Sequence, residues 1–216
     1  METKACLFDL DGVIVDTAKY HYLAWRSLAR RLGFDFSPAH NERLKGVSRM
    51  ASLDILLEVG GISGVSDADK QRMADEKNAE YVSLISRMTP DEVLPGAEDF
   101  LRSLRAAGIR TALGSASKNA MTILDRLQLT PLFDAIVDGT KVAKAKPDPE
   151  VFLRGAEALG VAPAECVVFE DAEAGIEAAI AGGMRCVGIG SPDILGRANL
   201  VVPGLSAMTL DRLRAL

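Results

Sequence analysis

Beyond residue 97 the chain alternates short apolar runs with segments of helical period, and no other feature narrows its fold as much. Apolar runs at 110–113, 135–137, 166–169, 186–189 and 200–202 read as strands; helical patterns at 97–107, 118–127, 149–159 and 172–181 lie before or between them, and 206–216 reads as a final helix. Strands joined by helices of this length form right-handed βαβ units and a mostly parallel sheet. Residues 5–8, Ala-Cys-Leu-Phe, make one more such run without polar alternation, as expected of a strand covered on both faces. From 18 to about 90, in contrast, only helical patterns appear: one to Leu32 closed by Gly33, a short one from Ser37-Pro38, one at 52–59, and a charged one from Ser66 to about 87. The N-terminal strand therefore belongs to the later sheet. The expected fold is α/β, a Rossmann-like mostly parallel sheet flanked by helices at 1–16 and 92–216, with an inserted all-helical cap domain at 17–91.

The chemistry-bearing residues fall where these strands end. Asp9 and Asp11 follow the first run, and in extended geometry residues i and i+2 point the same way, toward the carboxyl edge where open α/β sheets place ligands. Two carboxylates that close are costly unless they share a cation or a proton. Gly12 lets the backbone turn out of the strand, and Asp16-Thr17 supplies an N-cap for the next helix. At other strand ends stand Ser115, heading Ser-Ala-Ser-Lys-Asn119, then Lys146 in Lys-Pro-Asp-Pro149, and the pair Glu170-Asp171. Taken singly, a serine before a helix is a common cap, a Lys-Pro turn is a common surface turn, and paired acids also cap helices. Taken together they offer a phosphate ligand, a fixed positive charge and an oxygen-rich set suited to Mg²⁺.

Asp9-Leu10-Asp11-Gly12-Val13 with Asp16-Thr17 resembles the first motif of the haloacid dehalogenase superfamily of phosphotransferases, and Ser115, Lys146 and Glu170-Asp171 follow in that superfamily's order. The resemblance implies that Asp9 is the nucleophile and Asp11 the general acid/base. It also implies that Ser115 and Lys146 orient and neutralise the phosphoryl group, and that one Mg²⁺ per chain is held by Asp9, Glu170, Asp171 and the backbone carbonyl of Asp11. Tyr20-His21, Ala24-Trp25, Lys45-Gly-Val-Ser-Arg49, Ser52 and the Glu-Asp-x-x-Ala-Gly run ending at Gly175 extend the likeness toward the superfamily's hexose-phosphate mutases. For that branch the likeness implies interconversion of β-D-glucose 1-phosphate and β-D-glucose 6-phosphate through an aspartyl-phosphate and β-glucose 1,6-bisphosphate. Substrate would be bound by Gly46, Arg49, Ser52, Ser115, Ala116, Ser117, Lys118 and Asn119, with Thr17, His21 and Lys45 assisting catalysis from the cap. Two positions depart from the pattern, Val15 where a polar residue is common and Ala172 where serine is.

A sugar-phosphate phosphatase of the same fold would share every core residue, so only His21, Lys45 and Arg49 argue for the mutase; a non-catalytic phosphosugar-binding protein would have no use for the full catalytic set. The net charge of -5 disfavours nucleic acid as a partner. Cys6, Cys166 and Cys186 lie in the apolar runs, an odd and widely spaced set that fits buried thiols in a reducing compartment better than disulfides or zinc. With no leader and no apolar run of about 18 residues, the expectation is a cytoplasmic monomer acting on small sugar phosphates away from membranes.

Overall fold

The structure, a computed structural model, describes residues 2–44 and 48–216. In chain order its elements are β1 (Ala5–Phe8), α1 (Ala18–Arg31), α2 (Pro38–Glu42), α3 (Arg49–Val59), α4 (Asp67–Ile85), α5 (Ala97–Ala106), β2 (Arg110–Gly114), α6 (Ala120–Leu127), β3 (Ala135–Val137), α7 (Glu150–Leu159), β4 (Cys166–Glu170), α8 (Glu173–Ala181), β5 (Arg185–Ile189), α9 (Pro192–Leu195), β6 (Leu200–Val202) and α10 (Leu210–Arg214). They form two compact units, 1–16 with 88–216, and 17–87. The second divide falls between Arg87 and Met88 rather than between 91 and 92, and Met88 is buried.

The first unit is the expected parallel sheet, ordered β3-β2-β1-β4-β5-β6. After β3 the chain crosses over β1 to start β4, so winding reverses between β1 and β4, and an open sheet has its crevice at that point. Every residue of β1 and of β4 is buried. One face of the sheet packs Ala5, Leu7, Ala112 and Val168 against Val151, Phe152 and Ala156 of α7 and Ile176 and Ala179 of α8. Under the ends of β1 and β4, Phe8 stacks on Phe169 with centroids 4.7 Å apart, and Phe100 of α5 meets both rings edge-on. This aromatic cluster packs as the floor beneath the carboxylates.

Two local expectations change. The final helix from 206 is a single 3-10 turn, Leu205–Ala207, followed by α10, because Met208 and Thr209 are extended and Thr209 caps the new helix by accepting from Arg212 N–H. α9, capped by Ser191, is a short helix the sequence pattern did not reveal.

Among its described residues the second unit has helices joined by loops and no strand. Trp25, Leu28 and Ala29 of α1 pack with Phe36, Leu53, Leu56, Leu57 and Ala74. α3 starts at Arg49, earlier than the expected 52, because the Ser48 hydroxyl accepts from Ala51 N–H. Ser66 starts α4 in the same way, accepting from Asp69 N–H. The buried stripe of α4 is Ala74, Lys77, Tyr81 and Ile85, a helical spacing with a lysine on its apolar side.

Candidate active site

The register of β1 against β4 builds the centre of the site. Phe8 pairs with Phe169, so the next residues, Asp9 just past β1 and Glu170 at the end of β4, stand side by side at the switch point, and Asp9 N–H donates to the Phe169 carbonyl at 2.9 Å. Lys146 arrives from the turn ahead of α7. Its Nζ donates to Asp9 Oδ1 at 2.5 Å and to Glu170 Oε2 at 2.7 Å, and lies 4.7 Å from the centre of the Phe152 ring. Burial opposes the ammonium, but Asp9 and Glu170 outweigh it and raise its pKa. Glu170, 1% exposed, turns its other oxygen to the backbone N–H groups of Asp171 and Ala172 at 3.2 and 3.1 Å.

Asp9, Glu170 and Asp171 each present a carboxylate oxygen, all within 4.8 Å of one another. Burial first, and then the charge of Asp9, raises the pKa of both Glu170 and Asp171, the sign expected of acids packed together with too few cations. Asp171 is exposed as a residue, yet its carboxyl end lies against Gly12: a β-carbon there would sit 2.0 Å from Asp171 Oδ2, and Gly12 holds φ +78. Hard oxygen donors gathered this closely, with one lysine for three acids, fit a divalent cation such as Mg²⁺. Asp11, expected to stand beside Asp9, is half-buried in the turn where its backbone bridges Val15.

Beside β1, β2 carries Ser115 to the same sheet edge. Ser115 is buried, its N–H donates to the Val137 carbonyl and its hydroxyl accepts from Ser117 N–H at 3.1 Å; the Ser117 hydroxyl accepts in turn from Asn119 N–H at 3.2 Å. These two hydroxyl turns shape 115–119 into a loop, so α6 begins at Ala120 rather than at 118. Ala116 and Lys118 are exposed on that loop, Ser117 and Asn119 half-buried.

In the helical unit the structure gives a different picture. Thr17 is buried at the head of α1, but its side chain does not cap the helix. His21 stacks on Tyr81 with centroids 4.0 Å apart, and its Nδ1 is 2.8 Å from Lys77 Nζ. Lys77 lies in a charged run of the sequence and is not among the residues expected at the site. It is 3% exposed, its ammonium faces the rings of Trp25 and Tyr81, and burial with the nearby charge of Arg49 brings its pKa down to about 7. His21 is pushed down to about 3 by burial, then by Lys77 and Arg49, and so is neutral at pH 7. Arg49 is exposed at the first turn of α3, where its Nη2 donates to Asn78 Oδ1 at 2.9 Å. Neither Lys77 nor Arg49 has a carboxylate partner among the described residues. Ser52 is buried on α3, and the expected Lys45 and Gly46 lie outside the described residues.

Comparison with known proteins matches residues 3–183 to the haloacid dehalogenase-like hydrolases. The chain is 47% identical over 211 residues to the β-phosphoglucomutase of Bacillus subtilis, covering 97% of this chain and 93% of that one. It is similar in structure to a β-phosphoglucomutase from Clostridium difficile, with a TM-score of 0.88, 45% identity, and coverage of 99% of this chain and 96% of that one. A phosphorylated carbohydrates phosphatase of Thermotoga maritima is 33% identical over 84% of this chain and 82% of its own.

Proposed function

Because the chain belongs to the haloacid dehalogenase-like hydrolases, we infer that it is a phosphomutase that interconverts β-D-glucose 1-phosphate and β-D-glucose 6-phosphate by way of β-glucose 1,6-bisphosphate. The observation that carries this beyond the shared fold is the pair of cations in the helical unit, Arg49 and Lys77, whose charge no described carboxylate offsets. A hydrolase passing its phosphoryl group to water needs no grip on a second phosphate. A mutase does.

In this reading the Asp9 carboxylate attacks phosphorus and an aspartyl-phosphate forms, while the leaving sugar oxygen takes its proton from Asp11. In the return step Asp11 takes the proton from the accepting sugar hydroxyl, whose oxygen attacks the phosphorus and frees Asp9. Lys146 keeps a fixed positive charge against Asp9 and the transferring oxygens, and the Ser115–Asn119 loop orients the phosphoryl group. Asp9, Glu170, Asp171 and the backbone carbonyl of Asp11 would hold one Mg²⁺, which would offset the negative charge gathering on the transferring oxygens. Arg49 binds the phosphate that is not being transferred, in the bidentate manner guanidinium allows. Lys77 adds a second cation there, since a nearby phosphate dianion restores its charge, and His21, neutral, fixes its direction. Thr17, Lys45, Gly46 and Ser52 complete the cap's share. The enzyme works as a cytoplasmic monomer on free sugar phosphates.

The test supplies pure α- and β-glucose 1-phosphate separately, each with Mg²⁺ and a trace of the bisphosphate, and follows glucose 6-phosphate. Conversion of the β anomer alone is expected. Conversion of neither, with inorganic phosphate as the main product, would move the chain to the phosphatase side of its relatives.

A further inference from the structure

Glu170 occupies space that belongs to the side chain of another residue. Gly175 lies buried in the first turn of α8, and a β-carbon placed on it would fall 2.0 Å from Glu170 Cδ, 2.0 Å from Oε2 and 2.2 Å from Cγ. Non-bonded carbons rest about 3.5 to 4.0 Å apart, so such an atom would coincide with the carboxylate arm. Nothing in the backbone asks for glycine at this position: Gly175 is absent from the residues with positive φ, its N–H donates normally to the Ala172 carbonyl, and helix interiors favour alanine over glycine. The nearest atoms a β-carbon would meet all belong to Glu170. Space for that one side chain is the remaining physical reason for the glycine.

We propose that Gly175 is a positioning residue for the metal centre: the missing β-carbon lets the arm of Glu170 fold back over the start of α8, and so sets where its carboxylate stands beside Asp9 and Asp171. In that pose one oxygen is fixed by the N–H groups of Asp171 and Ala172 and the other faces Lys146. A methyl group at 175 turns the arm away. The fold tolerates this, because only the end of a side chain moves, but the donor set is broken. Gly155 is the natural contrast, a buried glycine of α7 whose added β-carbon would meet only Leu7 Cδ2 at 2.7 Å and Ala112 Cβ at 3.7 Å closest, both apolar.

The inference rests on the reading that Asp9, Glu170 and Asp171 hold the cation. Its test is calorimetric titration of MgCl₂ into the metal-free wild type, Gly175→Ala and Gly155→Ala proteins, with urea unfolding of each metal-free form. Gly175→Ala should bind Mg²⁺ about 10 to 100 times more weakly while its urea midpoint stays at or above that of the wild type, and Gly155→Ala should keep its affinity within about threefold whatever its midpoint does. Wild type that binds no Mg²⁺ removes the metal reading itself. Wild type that binds, with Gly175→Ala binding within about threefold of it, overturns the role of Gly175 alone. Should Gly175→Ala not fold, the double variant Glu170→Ala with Gly175→Ala, which takes away the obstructing arm, must fold; its failure to do so also overturns the proposal.

Discussion

Each unit of this protein encloses a lysine, and the two are treated in opposite ways. Lys146 is clamped between Asp9 and Glu170, and its pKa is raised because two carboxylates outweigh the cost of burial. Lys77 is packed against an imidazole and two aromatic faces, and its pKa falls to about 7 because nothing anionic repays that cost. Arg49 nearby is likewise held by an amide, Asn78, rather than by an acid. The sheet edge therefore has an excess of acids that a metal can satisfy, while the helical unit has an excess of cations that a phosphate can satisfy. Charge left unbalanced in a folded protein costs stability, and it is retained where a ligand supplies the missing partner.

Breaking the acidic sheet edge should have the largest effect. Asp9→Asn removes the proposed nucleophile and one proposed metal ligand but leaves Lys146 paired with Glu170, so turnover should fall about a thousandfold or more with circular dichroism unchanged. Activity within a factor of ten of wild type would exclude the covalent route. On the cationic side, Arg49→Ala should lower kcat/KM for β-glucose 1-phosphate by the equivalent of roughly 2 to 4 kcal/mol, the range for losing one charge-assisted contact to phosphate. A smaller loss than that of a neutral surface variant would separate Arg49 from the substrate.

Lys77→Met sharpens the contrast through stability. In the folded chain Lys77 releases its proton near pH 7, against about 10.4 in the unfolded chain. Between those values the unfolded chain binds more protons, so this residue makes stability rise with pH from about 7 to about 10 and contributes no slope below about 6. At pH 6 the methionine variant should be more stable by roughly 1 to 3 kcal/mol, and it should lose the rise, while substrate binding weakens. Urea midpoints at pH 6, 8 and 9.5 measure this. A variant less stable at pH 6, with the wild-type slope intact, would mean that Lys77 is neutralised after all.

The acidic edge was legible in the sequence; of the two cations of the helical unit Arg49 was legible and Lys77 was not, for a physical reason. Fully buried parallel strands leave runs without polar alternation, so 5–8 and 166–169 stand out, and the acids at both their ends form, with Ser115 and Lys146, a set that helix capping alone does not explain. Lys77 sits instead in Asp-Ala-Asp-Lys-Gln-Arg-Met-Ala-Asp-Glu-Lys-Asn, where one more charge looks like a solvated face; only its spacing from Ala74, Tyr81 and Ile85 marks it as facing inward. The role of Gly175 depends on where the arm of Glu170 folds, which no local pattern records. The final helix is shorter than its composition implies, because 206–216 has helical composition throughout while the break at Met208-Thr209 is set by the backbone.

The central claim is that the cations of the helical unit make a sugar phosphate, rather than water, the acceptor of the phosphoryl group. It is tested most directly by a product ratio: glucose 6-phosphate formed against inorganic phosphate released, from β-glucose 1-phosphate, in wild type and in Arg49→Ala. Wild type should release almost no inorganic phosphate, and the variant should shift clearly toward it, because attack by water on the aspartyl-phosphate makes no use of a distal grip. Inorganic phosphate as the main product of wild type, or a ratio that Arg49→Ala leaves unchanged, would contradict the account.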